Sequence, residues 1–178
     1  MRTRTDGYTL IELLISLAVI GILTALATAS YAAVKSRWDS EEARAALYTG
    51  FFTAKTQAIA GGIQTVICPS NDGQYCLASN QWHFGWIVFQ DINQNREHEA
   101  DEARLKVQPA LSSRTRLGSN AGRTRLVFQP NGSNGGTNAT FTLCDGRGPE
   151  TAKNLIISNT GRIRTAPADP SAAAQICL

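Results

Sequence analysis

From Leu10 to Ala29 the chain is a continuous apolar run in which Glu12 is the only ionisable residue. About 20 residues rising ~1.5 Å each cover the ~30 Å hydrocarbon core of a bilayer, so this run predicts a membrane-spanning helix. The pattern then becomes amphipathic. Ala32, Ala33, Val34, Trp38, Ala43, Leu47, Phe51 and Ile59 recur at helical spacing, and Asp39, Glu41, Glu42 and Arg44 are assigned to a solvated opposite face. Gly61-Gly62 ends the pattern, which predicts one helix from Tyr8 to Ala60.

Beyond Gly62 the periodicity shortens. Runs at Ile63–Cys68, Trp82–Gln90, Arg104–Val107, Thr124–Gln129, Thr137–Cys144 and Asn154–Ser158 are separated by Gly, Asn, Pro and Ser clusters, which predicts antiparallel sheet. Trp82, Phe84 and Trp86 alternate within one such run. They fit a base-stacking platform or a core facing the helix. The apolar continuation through Ile87, Val88 and Phe89 favours the core.

Charge sharpens this picture at two places. Arg2 and Arg4 precede the apolar run and assign the leader to the cytoplasmic side. An ordinary secretory signal would be cut near Ala27 to Ser30, but a carboxylate at Glu12 costs about 2–3 kcal/mol inside a membrane and argues for a retained segment with a partner. Along the rest of the chain, Asp39 to Glu102 carries nine acidic and three basic residues, whereas Ala103 to Leu178 carries three acidic and ten basic. An anion-binding face is therefore expected in the C-terminal half. Cys68, Cys76, Cys144 and Cys177 show no CxxC spacing, and beside an export signal they read as disulfides, with Cys68–Cys76 and Cys144–Cys177 the preferred pairing.

The junction Gly7-Tyr8-Thr9-Leu10-Ile11-Glu12-Leu13-Leu14 resembles the class III leader of type IV pilins and type II secretion pseudopilins. The resemblance implies cleavage by a prepilin peptidase between Gly7 and Tyr8, methylation of the new N-terminus, and pairing of Glu12 with the terminal amine of a neighbouring subunit. Tyr8 stands where the family usually has Phe. Gly85-Trp86-Ile87-Val88-Phe89 with Asp91, Asn93 and Asn95, then Glu102 to Val107, Cys144 to Gly148 and Gly161 to Arg164, is similar to the pseudopilin H and FimT branch. That branch implies an α+β type IV pilin fold: a leader over 1–7, a pilin helix over 8–60 that is membrane-spanning over about 10–29, and a β-rich domain over 61–178. It also implies a single-pass inner-membrane protein with a periplasmic domain, later a subunit among other pilins.

Asp91, Asn93, Asn95, Glu97, Glu99 and Glu102 fall at the ligand positions of an EF-hand calcium loop, with Arg96 in place of the glycine; a solvated polar hairpin tip is the competing reading. No nucleophile has a base beside it and no cofactor motif is present, so no enzymatic activity is expected. Arg147, Arg162 and Arg164 lie in glycine-flanked segments, and Gly122-Arg123-Thr124-Arg125 repeats the pattern of Gly161 to Arg164. Arginine forks bind phosphate oxygens, so the DNA backbone is a candidate partner. In FimT-like minor pilins a C-terminal Gly-Arg-x-Arg motif is linked to DNA capture in natural transformation, which Gly161, Arg162 and Arg164 match; Arg123 and Arg125 rest on charge and spacing alone. The alternative is a structural pseudopilin H or an assembly-priming minor pilin without a DNA-binding role.

Overall fold

A computed structural model describes residues 7–135 and 138–177, apart from the side chains of 27–30. The expected leader positions before Gly7, with Arg2 and Arg4, and the expected strand start at Thr137 lie outside the described residues. Two compact units are present, Met1–Lys35 and Ser36–Leu178. Helix α1, Leu10–Gly61, contributes to both.

Within the second unit α1 buries Ser36, Asp39, Ser40, Ala43, Leu47, Phe51, Ala54 and Ala58. This stripe follows the i, i+3, i+4 rule, and it corrects two expectations. Asp39 stands one turn before Ala43 and is buried rather than solvated; Ser112 Oγ donates to its Oδ2 at 2.9 Å and Arg114 Nη2 pairs with it at 3.5 Å. Trp38, a helical step of about 100° away from Asp39, is 72% exposed, and Val34 and Ile59 are exposed with it.

Two four-stranded antiparallel sheets complete the unit. In the first, β1 (Thr65–Pro69), β2 (Trp86–Gln90), β3 (Arg104–Gln108) and β5 (Leu126–Phe128) run in the order β3-β2-β1-β5. In the second, β4 (Arg116–Ser119), β6 (Ala139–Cys144), β7 (Lys153–Ile157) and β8 (Ile163–Pro167) run in the order β4-β6-β7-β8. Helix α2, Pro170–Cys177, follows β8.

The main core joins α1 to one face of both sheets. Phe51 meets Phe141 with ring centroids 5.1 Å apart, and Trp82 meets Phe141 edge-on at 4.9 Å. Each such buried aromatic contributes roughly 1.5–3 kcal/mol of transfer free energy. β1 and most of β2 are buried on both faces, because Val66, Cys68, Ile87 and Phe89 form a second cluster on the far side of the first sheet. The Cys68–Cys76 disulfide holds a loop near that side, where Arg104 Nη1 donates to the Gly73 carbonyl at 2.7 Å.

The expected strand from Trp82 begins only at Trp86. Gly85 has φ 113°, and a Cβ there would lie 2.5 Å from the Gln108 carbonyl oxygen, so the chain kinks where the backbones approach. Trp82 and Trp86 are wholly buried, whereas Phe84 lies outside and His83 occupies the turn rather than a strand. The two tryptophans form core, as expected, and only Phe84 of the three faces solvent, so the run presents no row of stacking rings.

Candidate functional site

At the N-terminal end, Gly7, Tyr8 and Thr9 precede α1 and are exposed. The Thr9 N–H and hydroxyl both donate to Glu12 Oε2 at 2.9 Å, and the Glu12 N–H donates to Thr9 Oγ1 at 3.4 Å. This is a reciprocal capping box, legible in the sequence as Thr-x-x-Glu, and it gives Glu12 a local role beside the subunit pairing that the resemblance implies. An 18-residue window of α1 has a mean hydropathy of 2.5, sufficient by length and composition to cross a bilayer.

The second sheet organises the arginines. In register, Arg164 pairs with Ile156 and Ile163 with Ile157. Ile157, Leu155 and Phe141 face the core, so alternation puts Arg162 and Arg164 on the opposite, solvent face. Both are exposed, and neither makes an ion pair among the described residues. With Asn138, Ile156, Ser158 and Thr160 they line a shallow groove of about 440 Å³. α2 packs at the other end of this face, where Cys144 is bonded to Cys177, and Ala173 and Ile176 join Cys144 in a small apolar cluster. The arginine end stays open.

The turn carrying these arginines is held from beneath. Gly161 is buried at φ 71°, its N–H donates to the Ser158 carbonyl at 2.8 Å, and the Ser158 N–H donates to the Arg162 carbonyl at 2.9 Å. Lys55 of α1 reaches the Thr160 and Gly161 carbonyls at 3.4 and 3.3 Å. Sequence reasoning missed Lys55, since 106 positions separate it from Gly161 and no local pattern marks it.

Arg147 belongs elsewhere. It follows Cys144 at the far end of β6, and its Nε and Nη2 donate to Asp145 at 2.9 and 2.6 Å. Burial works to raise the Asp145 carboxyl, but the hydrogen bonds and charge of Arg147 outweigh it and hold the group below the ordinary Asp range. The two residues form a structural ion pair, so Arg147 is not gathered with Arg162 and Arg164. Arg123 and Arg125 flank the start of β5 and line a polar cavity of about 330 Å³ with Asn95, Arg96, Glu97 and Asn134. Arg125 Nη2 pairs with Glu97, while the Nε atoms of both arginines are buried without an acceptor among the described residues.

Asp91, Asn93, Asn95 and Glu102 lie in the loop joining β2 to β3. Asp91 Oδ2 accepts Gln64 Nε2 at 2.6 Å and the Arg96 N–H at 3.1 Å. Glu102 accepts the N–H groups of Ile92 and Glu99, and the amides of Asn93 and Asn95 donate to Glu99. Among the described residues no three His, Cys, Asp or Glu side chains converge as a metal-binding group. His83 is lowered from its usual value, chiefly by burial and also by Arg116.

Comparison with known proteins now decides the lineage. The model of the family "Type II transport protein GspH" matches residues 43–161, more than half of the chain. The chain belongs to the GspH family. A second model, the prokaryotic N-terminal methylation motif, matches residues 2–28 of this GspH-family chain. Among solved structures, the type IV minor pilin FimU of Pseudomonas aeruginosa is similar, with a TM-score of 0.56, 20% identity, and coverage of 81% of this chain and 96% of that one. The minor pseudopilin EpsH of the type 2 secretion system of Vibrio cholerae is similar at a TM-score of 0.51 and 14% identity, covering 72% and 97%. No curated protein matches the sequence.

These relatives are filament subunits, not enzymes. This GspH-family chain is accordingly a minor pilin or pseudopilin, processed by prepilin peptidase through its methylation motif, assembling with other pilins and anchored in the inner membrane by its apolar helix.

Proposed function

We propose that the chain is a FimT-like minor pilin whose domain lies in the periplasm before assembly, and that in the pilus it binds DNA without sequence preference during natural transformation. Maturation is by cleavage between Gly7 and Tyr8 and methylation of Tyr8. Glu12 then pairs with the terminal amine of a neighbouring subunit, since a carboxylate in an apolar filament core needs a cation beside it.

One observation carries the reading. Arg162 and Arg164 extend from one solvent face, adjacent on β8 and its hairpin, without a carboxylate to neutralise them among the described residues. Guanidinium forks so placed bind successive phosphates, and the polar groups of Ser158, Thr160 and Asn138 in the same groove offer further contacts to the backbone. Arg123 and Arg125 line a different pocket, where Arg125 is paired with Glu97 and the Nε atoms of both are buried, so they add little to this face.

The test is titration of labelled duplex DNA with the detergent-solubilised chain and with its Arg162→Ala, Arg164→Ala double variant. Binding should weaken steeply between about 50 and 200 mM salt. Binding that ignores salt, or that survives unchanged in the double variant, defeats the proposal.

A second reading has its own observation. Trp38, Tyr48, Phe52 and Ile59 leave an apolar side of α1 exposed, as a subunit buried among helices requires. A structural pseudopilin H or an assembly-priming pilin would use this side and leave the arginines idle. In that case the double variant would alter DNA uptake only as far as it alters assembly.

A further inference from the structure

We propose that the loop from Asp91 to Glu102 is a calcium site. The observation that points to a ligand is Asp91 itself. Its side chain is wholly buried, and among the described residues no cation pairs with it and its Oδ1 has no hydrogen-bond partner. A buried carboxylate oxygen without a donor is costly unless a cation occupies the space before it. Its Oδ2 is held by the Arg96 N–H of the loop at 3.1 Å and by Gln64 Nε2 at 2.6 Å, which leaves Oδ1 as the oxygen for a ligand.

The remaining donors stand at the spacing calcium requires. Counting Asp91 as position 1, Asn93 and Asn95 occupy 3 and 5, the Glu97 carbonyl 7, Glu99 9 and Glu102 12. The missing glycine at position 6 is the apparent obstacle, because that position needs a left-handed backbone for its sharp turn. Arg96 adopts φ 65° regardless, and Gln94 adopts φ 62°. The loop therefore has the required bend, with arginine bearing the strain glycine would avoid. Three carboxylates, of Asp91, Glu99 and Glu102, assisted by amide and carbonyl oxygens form a hard, all-oxygen donor set, which suits calcium and not zinc. Helices flank such a loop in an EF-hand; here strands β2 and β3 hold its ends, with the Gln90 N–H donating to the Ala103 carbonyl at 3.0 Å.

Charge and exposure set the expected strength. With few carboxylates and an exposed rim, the site belongs with extracellular modules, at a Kd of about 10⁻⁴–10⁻³ M. Binding to the folded state alone then raises the folded-to-unfolded ratio roughly 10- to 100-fold at about 10 mM calcium. Magnesium, which demands a tighter octahedron, should do much less.

The full chain in detergent, stripped with chelator, is titrated with calcium chloride in a calorimeter. Its thermal unfolding is followed with chelator, with calcium and with magnesium. The comparison is an Asn93→Ala, Asn95→Ala variant, altered only at exposed residues and expected to unfold with the parent in chelator. A calcium-specific heat and a raised midpoint in the parent, both lost in the variant, are the expected result. Absence of heat and of any midpoint shift at about 10 mM calcium overturns the site, as does an equal response to magnesium or a full response in the variant. Should the variant unfold early in chelator, Glu102→Gln replaces it under the same criteria.

Discussion

A Cβ placed on Gly161 would lie 2.6 Å from the carbonyl oxygen of Gly132. Gly161 also has φ 71°, so alanine there is strained both by its own backbone and by a neighbour that cannot rotate away. Gly161→Ala should lower stability by about 2–4 kcal/mol. Thermal unfolding measures this loss, and DNA affinity should fall with it because the turn carrying Arg162 shifts.

Arg147 and the Arg162–Arg164 pair should separate cleanly. Arg147→Ala leaves the Asp145 carboxylate, whose side chain is only 2% exposed, without its counter-charge and should cost about 2–4 kcal/mol in urea unfolding while DNA binding persists. The Arg162→Ala, Arg164→Ala variant should keep its stability and give a slope of log affinity against log salt shallower by about 1.8.

Acid should weaken the domain in two stages. His83 is held below its ordinary value of 6.5 when folded, so the unfolded chain binds its proton first and stability begins to fall as pH drops through that value. The depressed Asp145 carboxyl contributes stability that is complete above its unfolded pKa, about 3.9, and is lost as pH falls through the lower folded value. Urea midpoints measured across pH 3 to 7, taken as roughly the window these groups span, should show both declines. The Arg147→Ala variant should lose most of the lower one.

Replacing Cys144 and Cys177 together by serine removes a closure over 33 positions, worth about 3.8 kcal/mol by loop entropy, against about 2.6 kcal/mol for the 8-position closure of Cys68 and Cys76. Limited proteolysis should cut the α2 segment first in the former variant. The latter should leave α2 protected.

Glu12→Gln preserves an acceptor for the Thr9 N–H but removes the charge. Leader cleavage should continue, while incorporation into sheared filaments falls at least about tenfold because the neighbour's amine loses its counter-ion. Immunoblots of filament and membrane fractions read both quantities.

Much of this architecture was legible in sequence, and what was not has physical causes. The apolar run, the shift from helical to strand periodicity and the disulfide pairing each left a local signal. β4 had none, because Arg116–Ser119 holds a single large apolar residue and owes its strand state to pairing with β6. β8 was read only as a glycine-flanked arginine segment, since its pattern is dominated by Arg164 and Thr165 and ends at Pro167. α2 did leave a signal that went unread: Asp169 accepts the N–H groups of Ser171 and Ala172 and Pro170 opens the helix, an N-cap and N1 pair visible in the sequence. At the candidate site, alternation alone placed Arg162 and Arg164 together. The capture of Arg147 by Asp145 two positions earlier required the folded turn, in which the Arg147 N–H also donates to Asp145 at 3.0 Å.

The bond between Cys144 and Cys177 carries one more consequence. Cys144 closes on a residue 33 positions later, so a chain interrupted between the two cysteines leaves a bare thiol beneath the place where α2 would sit. That thiol would be open to the oxidoreductases of an oxidising compartment, whereas a finished chain offers them none. The closure thus ties the end of β6 to the last helix: until the chain has passed Cys177, that end of the sheet lacks both its covalent tie and its apolar cover.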